Sequence, residues 1–184
     1  EWQQAARTLI PLDKLNERAN KAKEEAISKG ETPLSDRDEL ARQLMAWFKH
    51  EFFQWVNSPP CDRCSSATNN QGGTQPSMEE VKHGAGIVEL YRCSNASCNF
   101  VTRFPRYNSA LKLLSTRRGR CGEWANCFAL CCRSLGFEVR TVNDWTDHIW
   151  VCLYSESQSR WIHHDPCENA RDNPLMYENG WGKK

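Results

Sequence analysis

Three short segments of this sequence carry the side chains of a thiol acyl-transfer site. Cys121 follows the basic, glycine-containing stretch 117–120 and begins an apolar segment with helical periodicity. Downstream, His148 and Asp165 each lie beside strand-like residues. A thiol nucleophile, a histidine base and a carboxylate that orients the imidazole work together in such sites. The sequence therefore predicts Cys121, His148 and Asp165 in these three roles.

The position of each candidate supports its role, although other readings stay open. A helix N-terminus favours a thiolate at Cys121 through its macrodipole and its free N–H groups. His163 and His164 compete with His148, but neighbours on a strand point to opposite faces, so only one of them would face the site. His148 is preferred because it comes from a separate strand and leaves Asp165 free to orient it. The alternatives are a structural strand histidine and an ordinary Asp-Pro turn.

A second cluster has the spacing of metal ligands. Cys61 and Cys64 form a Cys-x2-Cys pair, and Cys93 and Cys98 form a Cys-x4-Cys pair. Four thiolates in tight turns would close a tetrahedral sphere around one Zn²⁺ ion and leave no position for water. We therefore expect a structural zinc ion. Disulfides and unrelated buried thiols are the alternatives.

The elements that must position these residues follow from periodicity and capping. Helices are predicted over residues 12–28, from Ser35 to the stop at 57–60, and over 121–135 before Gly136. A short helix or turn is expected at 111–115, and a loop at 69–77. Strands are predicted at 87–93, 99–104, 138–142, 148–154 and 160–164.

This order predicts an α+β protein in which the Cys121 helix packs on antiparallel strands. We divide it into an N-terminal charged helix (1–32), a core (33–60 and 104–184) and a metal-binding knuckle and hairpin insert (61–103). The apolar stripe of the first helix is narrow, which suits peripheral packing or, alternatively, contact with a partner.

Composition excludes several classes of function. With 24 basic and 23 acidic side chains, the net charge is +1, so no global field favours nucleic acid. No apolar run is long enough to span a bilayer. The ten cysteines include three on the 121–135 helix that read as small buried hydrophobes, which favours a reducing compartment over a disulfide scaffold. Because residue 1 is Glu, we treat the chain as a possible excised fragment.

The segment 118–128 (Arg-Gly-Arg-Cys-Gly-Glu-Trp-Ala-Asn-Cys-Phe) closely resembles the cytoplasmic peptide:N-glycanases of the transglutaminase-like superfamily. The resemblance extends to residues 55–57, 104–107, 147–150, 165–168 and 180–184. It implies a papain-like thiol-hydrolase core with a four-cysteine zinc insert. It also implies that the family's fold continues beyond Lys184, so that the core is C-terminally truncated here.

The resemblance implies an amidase that removes N-linked glycans from misfolded glycoproteins during endoplasmic-reticulum-associated degradation. Cys121, His148 and Asp165 match its catalytic residues, and the four cysteines match its zinc ligands. Five further positions match residues that contact the glycan or lie near the cleft: Glu168, Trp181, Trp55, Trp124 and Trp150. A surface carboxylate and a core tryptophan are the alternative readings of Glu168 and Trp181.

The resemblance also implies a ubiquitin-receptor shuttle protein as partner and a cytoplasmic location, with the nucleus as a second one. Two departures from the family pattern stand out. The second cysteine pair is x4 where many relatives have x2, and Val151-Cys152 replaces a frequent Thr-Glu. Two other functions are kept as alternatives: a transglutaminase, in which an amine replaces water, and a catalytically idle scaffold that binds glycans or proteasome partners.

Overall fold

The computed structural model of the chain describes residues 1–145 and 147–180, with side chains up to Glu178. Its helices are α1 (Trp2–Leu9), α2 (Leu12–Ser28), α3 (Asp36–Trp47), α4 (Met78–Lys82), α5 (Ala110–Thr116), α6 (Cys121–Ser134) and α7 (Met176–Gly180). Its strands are β1 (Gln54–Trp55), β2 (Thr68–Thr74), β3 (Val88–Cys93), β4 (Val101–Pro105), β5 (Arg118–Gly119), β6 (Val139–Asp144), β7 (His148–Ser155), β8 (Arg160–Asp165) and β9 (Ala170–Arg171). Among these residues no helix is long and apolar enough to cross a membrane.

The centre of the fold is α6, which packs against an antiparallel sheet of order β6-β7-β8-β9. Helices α1 and α5 pack on its other sides. Three thiols of α6 have no exposed surface and act as small core side chains: Cys127, Cys131 and Cys132. All ten cysteines are free thiols. This arrangement confirms the predicted α+β class with the Cys121 helix on an antiparallel sheet.

The N-terminal segment contains one helix more than predicted. Helix α2 has the expected bounds and turns Leu15 and Ala19 toward α3. Residues 2–9 form α1, which places the buried Ala6 against α6. The apolar positions of α1 follow the helical spacing i, i+3, i+4 and i+7, but eight residues are fewer than the window of about 11–18 in which such a period is read.

The helix that begins after Ser35 ends earlier than predicted. The Ser35 hydroxyl accepts a hydrogen bond from the backbone N–H of Asp38 and caps α3. After Trp47 the chain continues as a π-helical turn, Phe48–Phe52, and then becomes extended. Trp55 therefore lies on β1 and is 45% exposed, whereas the prediction placed it within the helix. A π-helical turn changes the residue period, so the 3.6-residue pattern does not carry past it.

The insert between β1 and β5 contains a three-stranded antiparallel sheet of order β2-β3-β4. The predicted loop at 69–77 is wrong for its first part, because Thr68–Thr74 forms β2 and pairs with β3. Polar residues and glycines occupy this mostly exposed edge strand, and the register shifts between Asn70 and Gly73. Backbone hydrogen bonds hold β2 in the sheet, so no alternation of apolar residues marks it.

The turn before Cys121 brings two backbones close together. Strand β5 pairs in parallel with β1, with Trp55 opposite Gly119. A Cβ atom added at Gly119 would lie 2.4 Å from the Cβ atom of Glu123, whereas one added at Gly122 would meet no atom within 4 Å. Position 119 therefore has no room for a side chain, whereas position 122 has room for one.

We predict that Gly119→Ala lowers the free energy of unfolding by about 1–3 kcal/mol through overpacking. The matched control, Gly122→Ala, should leave it unchanged or raise it slightly, because alanine is the better helix former. Urea unfolding followed by circular dichroism measures both. Equal destabilisation by the two substitutions would contradict the spatial argument.

Candidate active site

Cys121 is the first residue of α6 and is partly exposed. The backbone N–H of Arg120 donates to the Glu123 carboxylate at 3.0 Å, which fixes the first turn of the helix. Free N–H groups at a helix start and the macrodipole both favour a negative charge on the thiol. The fold therefore presents Cys121 at a position suited to a thiolate nucleophile.

Arg120 anchors this turn to the insert. Its guanidinium donates to the two carboxylate oxygens of Glu89 on β3, at 2.8 and 2.7 Å, and to the backbone oxygens of Val56 and Asn57. The hydrogen bonds from Arg120 oppose the effect of burial and lower the pKa of Glu89 to about 2. The charge of Arg120 is thus compensated by an ion pair and is not free to raise the potential at Cys121.

A second ion pair runs beside the first. Arg106 donates to Glu123 through two nitrogens and to Glu89 at 3.0 Å. Glu89 and Glu123 therefore share Arg106, and Glu89 also binds Arg120, so the network joins β3 to the first turn of α6. Arg120 of the basic segment thus has a structural role in this network.

His148 and Asp165 lie on β7 and β8 and are almost fully buried. The imidazole Nε2 is 2.7 Å from Asp165 Oδ2. Burial disfavours the imidazolium, but hydrogen bonds with Asp165 and Cys121 outweigh it and raise the pKa of His148 to about 9. The structure thus brings the three candidates together. Because Nε2 faces Asp165, Nδ1 is the nitrogen that can exchange a proton with the thiol.

Asp165 has no exposed surface, and hydrogen-bond donors surround it. Oδ1 accepts from the backbone N–H groups of Cys167 and Glu168, at 2.8 and 3.4 Å. Oδ2 accepts from the Tyr177 hydroxyl at 2.6 Å as well as from His148. Burial alone would raise the pKa of Asp165, but these donors hold it below its usual value. The carboxylate is therefore kept ionised inside the protein.

Tyr177 is a site residue that sequence reasoning missed. It lies on α7, is 5% exposed and packs against the rings of His148 and Trp150, with centroid distances of 5.0 and 4.7 Å. Its hydroxyl is also 2.7 Å from His163 Nε2. The only signal for it in the sequence is its position shortly after Cys167-Glu168, and a tyrosine at such a distance is too common to identify a site residue.

A cavity of about 710 Å³ opens beside the nucleophile helix. Its lining residues are Lys49, His50, Phe53, Gln54, Trp55, Trp124, Cys167 and Glu168. Three of the residues predicted to contact the glycan or to lie near the cleft line it, namely Trp55, Trp124 and Glu168. Trp150 lies beside His148, at a ring distance of 5.8 Å. Trp181 lies outside the described residues.

Two cavity residues were not expected at the site. The sequence predicted no site role for Lys49 or His50. Both belong to the π-helical turn 48–52, which directs them to the cavity wall. The ammonium of Lys49 also donates to the backbone oxygen of Cys167, which ties this turn to the loop that follows Asp165.

The four predicted metal-ligating cysteines converge at the base of the insert. The sulfurs of Cys61, Cys64, Cys93 and Cys98 all lie within 4.8 Å of one another. Cys64 Sγ is 3.4 Å from Cys93 Sγ, and Cys61 Sγ is 3.8 Å from Cys98 Sγ. Tetrahedral coordination with bonds of about 2.3 Å places sulfurs about 3.8 Å apart. The cluster therefore has the ligand set and dimensions to hold one metal ion, despite its x4 pair.

The family model described as Transglutaminase-like superfamily matches residues 66–166, more than half of the chain. The chain belongs to the transglutaminase-like superfamily. This result confirms the resemblance that the motif around Cys121 indicated. The match includes Cys121, His148 and Asp165.

Curated relatives carry one common name, peptide-N(4)-(N-acetyl-beta-glucosaminyl)asparagine amidase. The chain is 52% identical to the Gallus gallus protein over 99% of its own length and 28% of the relative. It is 50% identical to the Oryza sativa protein, of which it covers 40%, and 45% identical to the Yarrowia lipolytica protein, of which it covers 51%. This member of the superfamily thus spans about a quarter to a half of the length of these relatives, which are named as enzymes.

We predict that two of the three buried histidines, His148 and His164, have pKa values on opposite sides of that of free imidazole. His148 should titrate near 9, whereas burial lowers the pKa of His164 to about 4. In Asp165→Asn the pKa of His148 should fall, because burial then opposes its charge with one partner fewer. Histidine-selective NMR titration measures these values, with His164 as internal reference. An unchanged His148 pKa in Asp165→Asn would contradict the ion-pair assignment.

Proposed function

We propose that this chain carries the catalytic core of a peptide:N-glycanase, which hydrolyses the side-chain amide between asparagine and an N-linked glycan. The observation that carries the proposal is the connected set of Cys121 at a helix start, His148 in hydrogen-bond contact with it, and the buried Asp165 beyond. The neighbouring cavity is lined by Trp124 of the helix that Cys121 begins, and by Cys167 and Glu168, which follow Asp165 closely in the chain. The name shared by the curated relatives supports the same substrate class.

The reaction begins with attack of the Cys121 thiolate on the amide carbon of the glycosylated asparagine. A C–S bond forms, the C–N bond breaks, and the His148 imidazolium gives its proton to the departing glycosylamine. The neutral imidazole then takes a proton from water, whose oxygen attacks the thioester and releases Cys121 and an aspartate side chain. The raised pKa of His148 suits the first step, since it keeps the imidazole protonated while it is paired with a thiolate.

Negative charge on the carbonyl oxygen needs donors that are already in place. The backbone N–H groups at the start of α6 are one source, and the indole of Trp124 is a second. Trp124 is 3% exposed, lines the cavity, and its Nε1–H has no hydrogen-bond acceptor among the described residues. The indole of Trp55 is less suited, because it donates to Asn57 at 2.8 Å.

Glycan contacts are proposed for the cavity residues and two neighbours. Glu168 is exposed at the cavity wall and can accept hydrogen bonds from sugar hydroxyls. The exposed indole face of Trp55 can pack against a sugar ring, and Trp150 is proposed to extend this surface. Trp181 is proposed as a further glycan-contacting residue. Substrates on this reading are misfolded N-glycoproteins, whose degradation the chain would assist in the cytoplasm, with the nucleus as a second location.

The four-cysteine cluster is proposed to hold one structural zinc ion. Cys61, Cys64, Cys93 and Cys98 supply all four ligands, so the ion would close the insert and take no part in the reaction. A ubiquitin-receptor shuttle protein is proposed as partner. The charged face of α2, opposite the residues that it packs on α3, is the proposed contact surface.

Deglycosylation provides the direct test. A denatured N-glycoprotein incubated with this chain should gain about one dalton at the formerly glycosylated asparagine, because hydrolysis leaves aspartate. Cys121→Ala should abolish this gain in mass spectrometry. The control Cys132→Ala removes a buried thiol from the same helix and should retain the activity.

The alternatives give different products in the same assay. Covalent incorporation of an added primary amine into glutamine, without loss of glycan, would indicate a transglutaminase. Glycan binding without conversion, by this chain and by a longer form of the protein, would indicate a scaffold and exclude the proposed activity.

Loss of the metal ion should lower activity, because the insert that it stabilises holds Arg120, the residue before Cys121, through the ion pair with Glu89. We predict about one zinc per chain by elemental mass spectrometry, and a reduced melting temperature in Cys93→Ser together with loss of the ion. Glu89→Gln should keep the zinc but lower activity, because it weakens the anchor of the residue before Cys121. A fully active Cys93→Ser variant without metal would refute the structural role of the ion.

A further inference from the structure

A chain of hydrogen bonds continues from Asp165 to the side opposite His148. The Tyr177 hydroxyl has one proton, which it donates to Asp165 Oδ2 at 2.6 Å. The 2.7 Å contact between this hydroxyl and His163 Nε2 must therefore be donated by His163. His163 Nδ1 in turn accepts from the backbone N–H of Asn173 at 3.4 Å. Each member of the chain thus has a defined donor and acceptor role.

These roles require a neutral His163, and its surroundings keep it neutral. His163 is 4% exposed, and burial lowers its pKa. Burial and the neighbouring carboxylate raise the pKa of Tyr177, so the phenol keeps its proton. The titratable groups around the two residues are His148, Asp165, Cys167, Glu168 and Asp172.

We propose that Tyr177 and His163 are positioning residues, in which the Tyr177 hydroxyl, held by His163, fixes the ionised Asp165 carboxylate opposite His148. The inference deepens the proposed amidase function and rests on it for its effect on turnover. Asp165 is fully buried, so each donor is needed to keep its charge inside the protein. Tyr177 and His148 bind the same oxygen, Oδ2, so loss of the phenol also frees the carboxylate to rotate away from the imidazole.

Tyr177→Phe tests the first link, since it keeps the ring that packs on Trp150 and removes only the hydroxyl. We expect kcat for deglycosylation to fall about tenfold or more with KM changed less than about twofold, because a hydrogen bond to a charged group is lost. Tyr154→Phe is the matched control, because Tyr154 packs on Trp161 away from the site.

A readout that does not need glycan substrate is the pH profile of Cys121 alkylation by iodoacetamide, followed on the Cys121 peptide by mass spectrometry. The lower limb of this profile should move up by about one pH unit in Tyr177→Phe, because Asp165 then binds a proton more readily. A purely structural role for Tyr177 would lower the melting temperature and leave the limb in place.

The second link is tested at His163. His163→Leu should shift the lower limb of the alkylation profile in the same direction as Tyr177→Phe, but by less. His163→Gln should keep the limb near its wild-type position, because the glutamine amide can donate to Tyr177 in place of Nε2. The double variant with Tyr177→Phe should be no worse than Tyr177→Phe alone, since His163 acts through the phenol.

The outcomes separate this inference from the proposed function. A shifted alkylation profile, together with failure of both this chain and a longer form of the protein to deglycosylate, would support the inference and refute the amidase. Superimposable profiles for wild type and Tyr177→Phe would overturn the inference even if the wild type is active. If Tyr177→Phe fails to fold, the alkylation profiles of His163→Leu and His163→Gln are compared instead. Identical profiles for these two variants would overturn the inference.

Discussion

An ionised carboxylate without exposed surface imposes the strictest constraint on this structure. Removal of a charge from water is costly unless donors replace the lost hydration. Asp165 obtains those donors from β7, from the turn that follows β8, and from α7. The register of the antiparallel sheet and the docking of a short helix are therefore both tied to one side chain. The same donors that stabilise its charge hold it in the orientation in which it meets His148.

The nucleophile depends on a different set of charges. Glu89 and Glu123 each bind Arg106, and Glu89 also binds Arg120, so that a strand of the insert is joined to the first turn of α6. Such shared pairs are partly buried and fix geometry more than they add stability. The Cys121 backbone is thus set by a network outside the core sheet, whereas His148 and Asp165 are set within it. The site forms where these two systems meet.

Much of this arrangement could be predicted from local sequence. Helix α6, the strands from β6 to β8 and the four-cysteine cluster follow from periodicity, capping residues and ligand spacing, all of which act over a few neighbours. Trp55, β2 and Tyr177 could not be predicted in the same way. Trp55 depends on a π-helical turn, β2 on backbone pairing of polar residues, and Tyr177 on a contact with a strand twelve residues earlier. Each of these is decided by tertiary partners, which leave no periodic trace.

The parallel pairing of β1 with β5 has a consequence for the order of folding. Two short strands that run the same way cannot be joined by a tight turn, and here the whole insert forms their connection. Bringing their ends together costs loop-closure entropy that grows with the length of flexible chain between them. An insert that is already folded around its cysteine cluster shortens that flexible length. Pairing of β1 with β5 before Cys121 is therefore favoured after the insert has formed. The three-stranded sheet of the insert would thus fold first and then hold the ends of β1 and β5 together in the native protein.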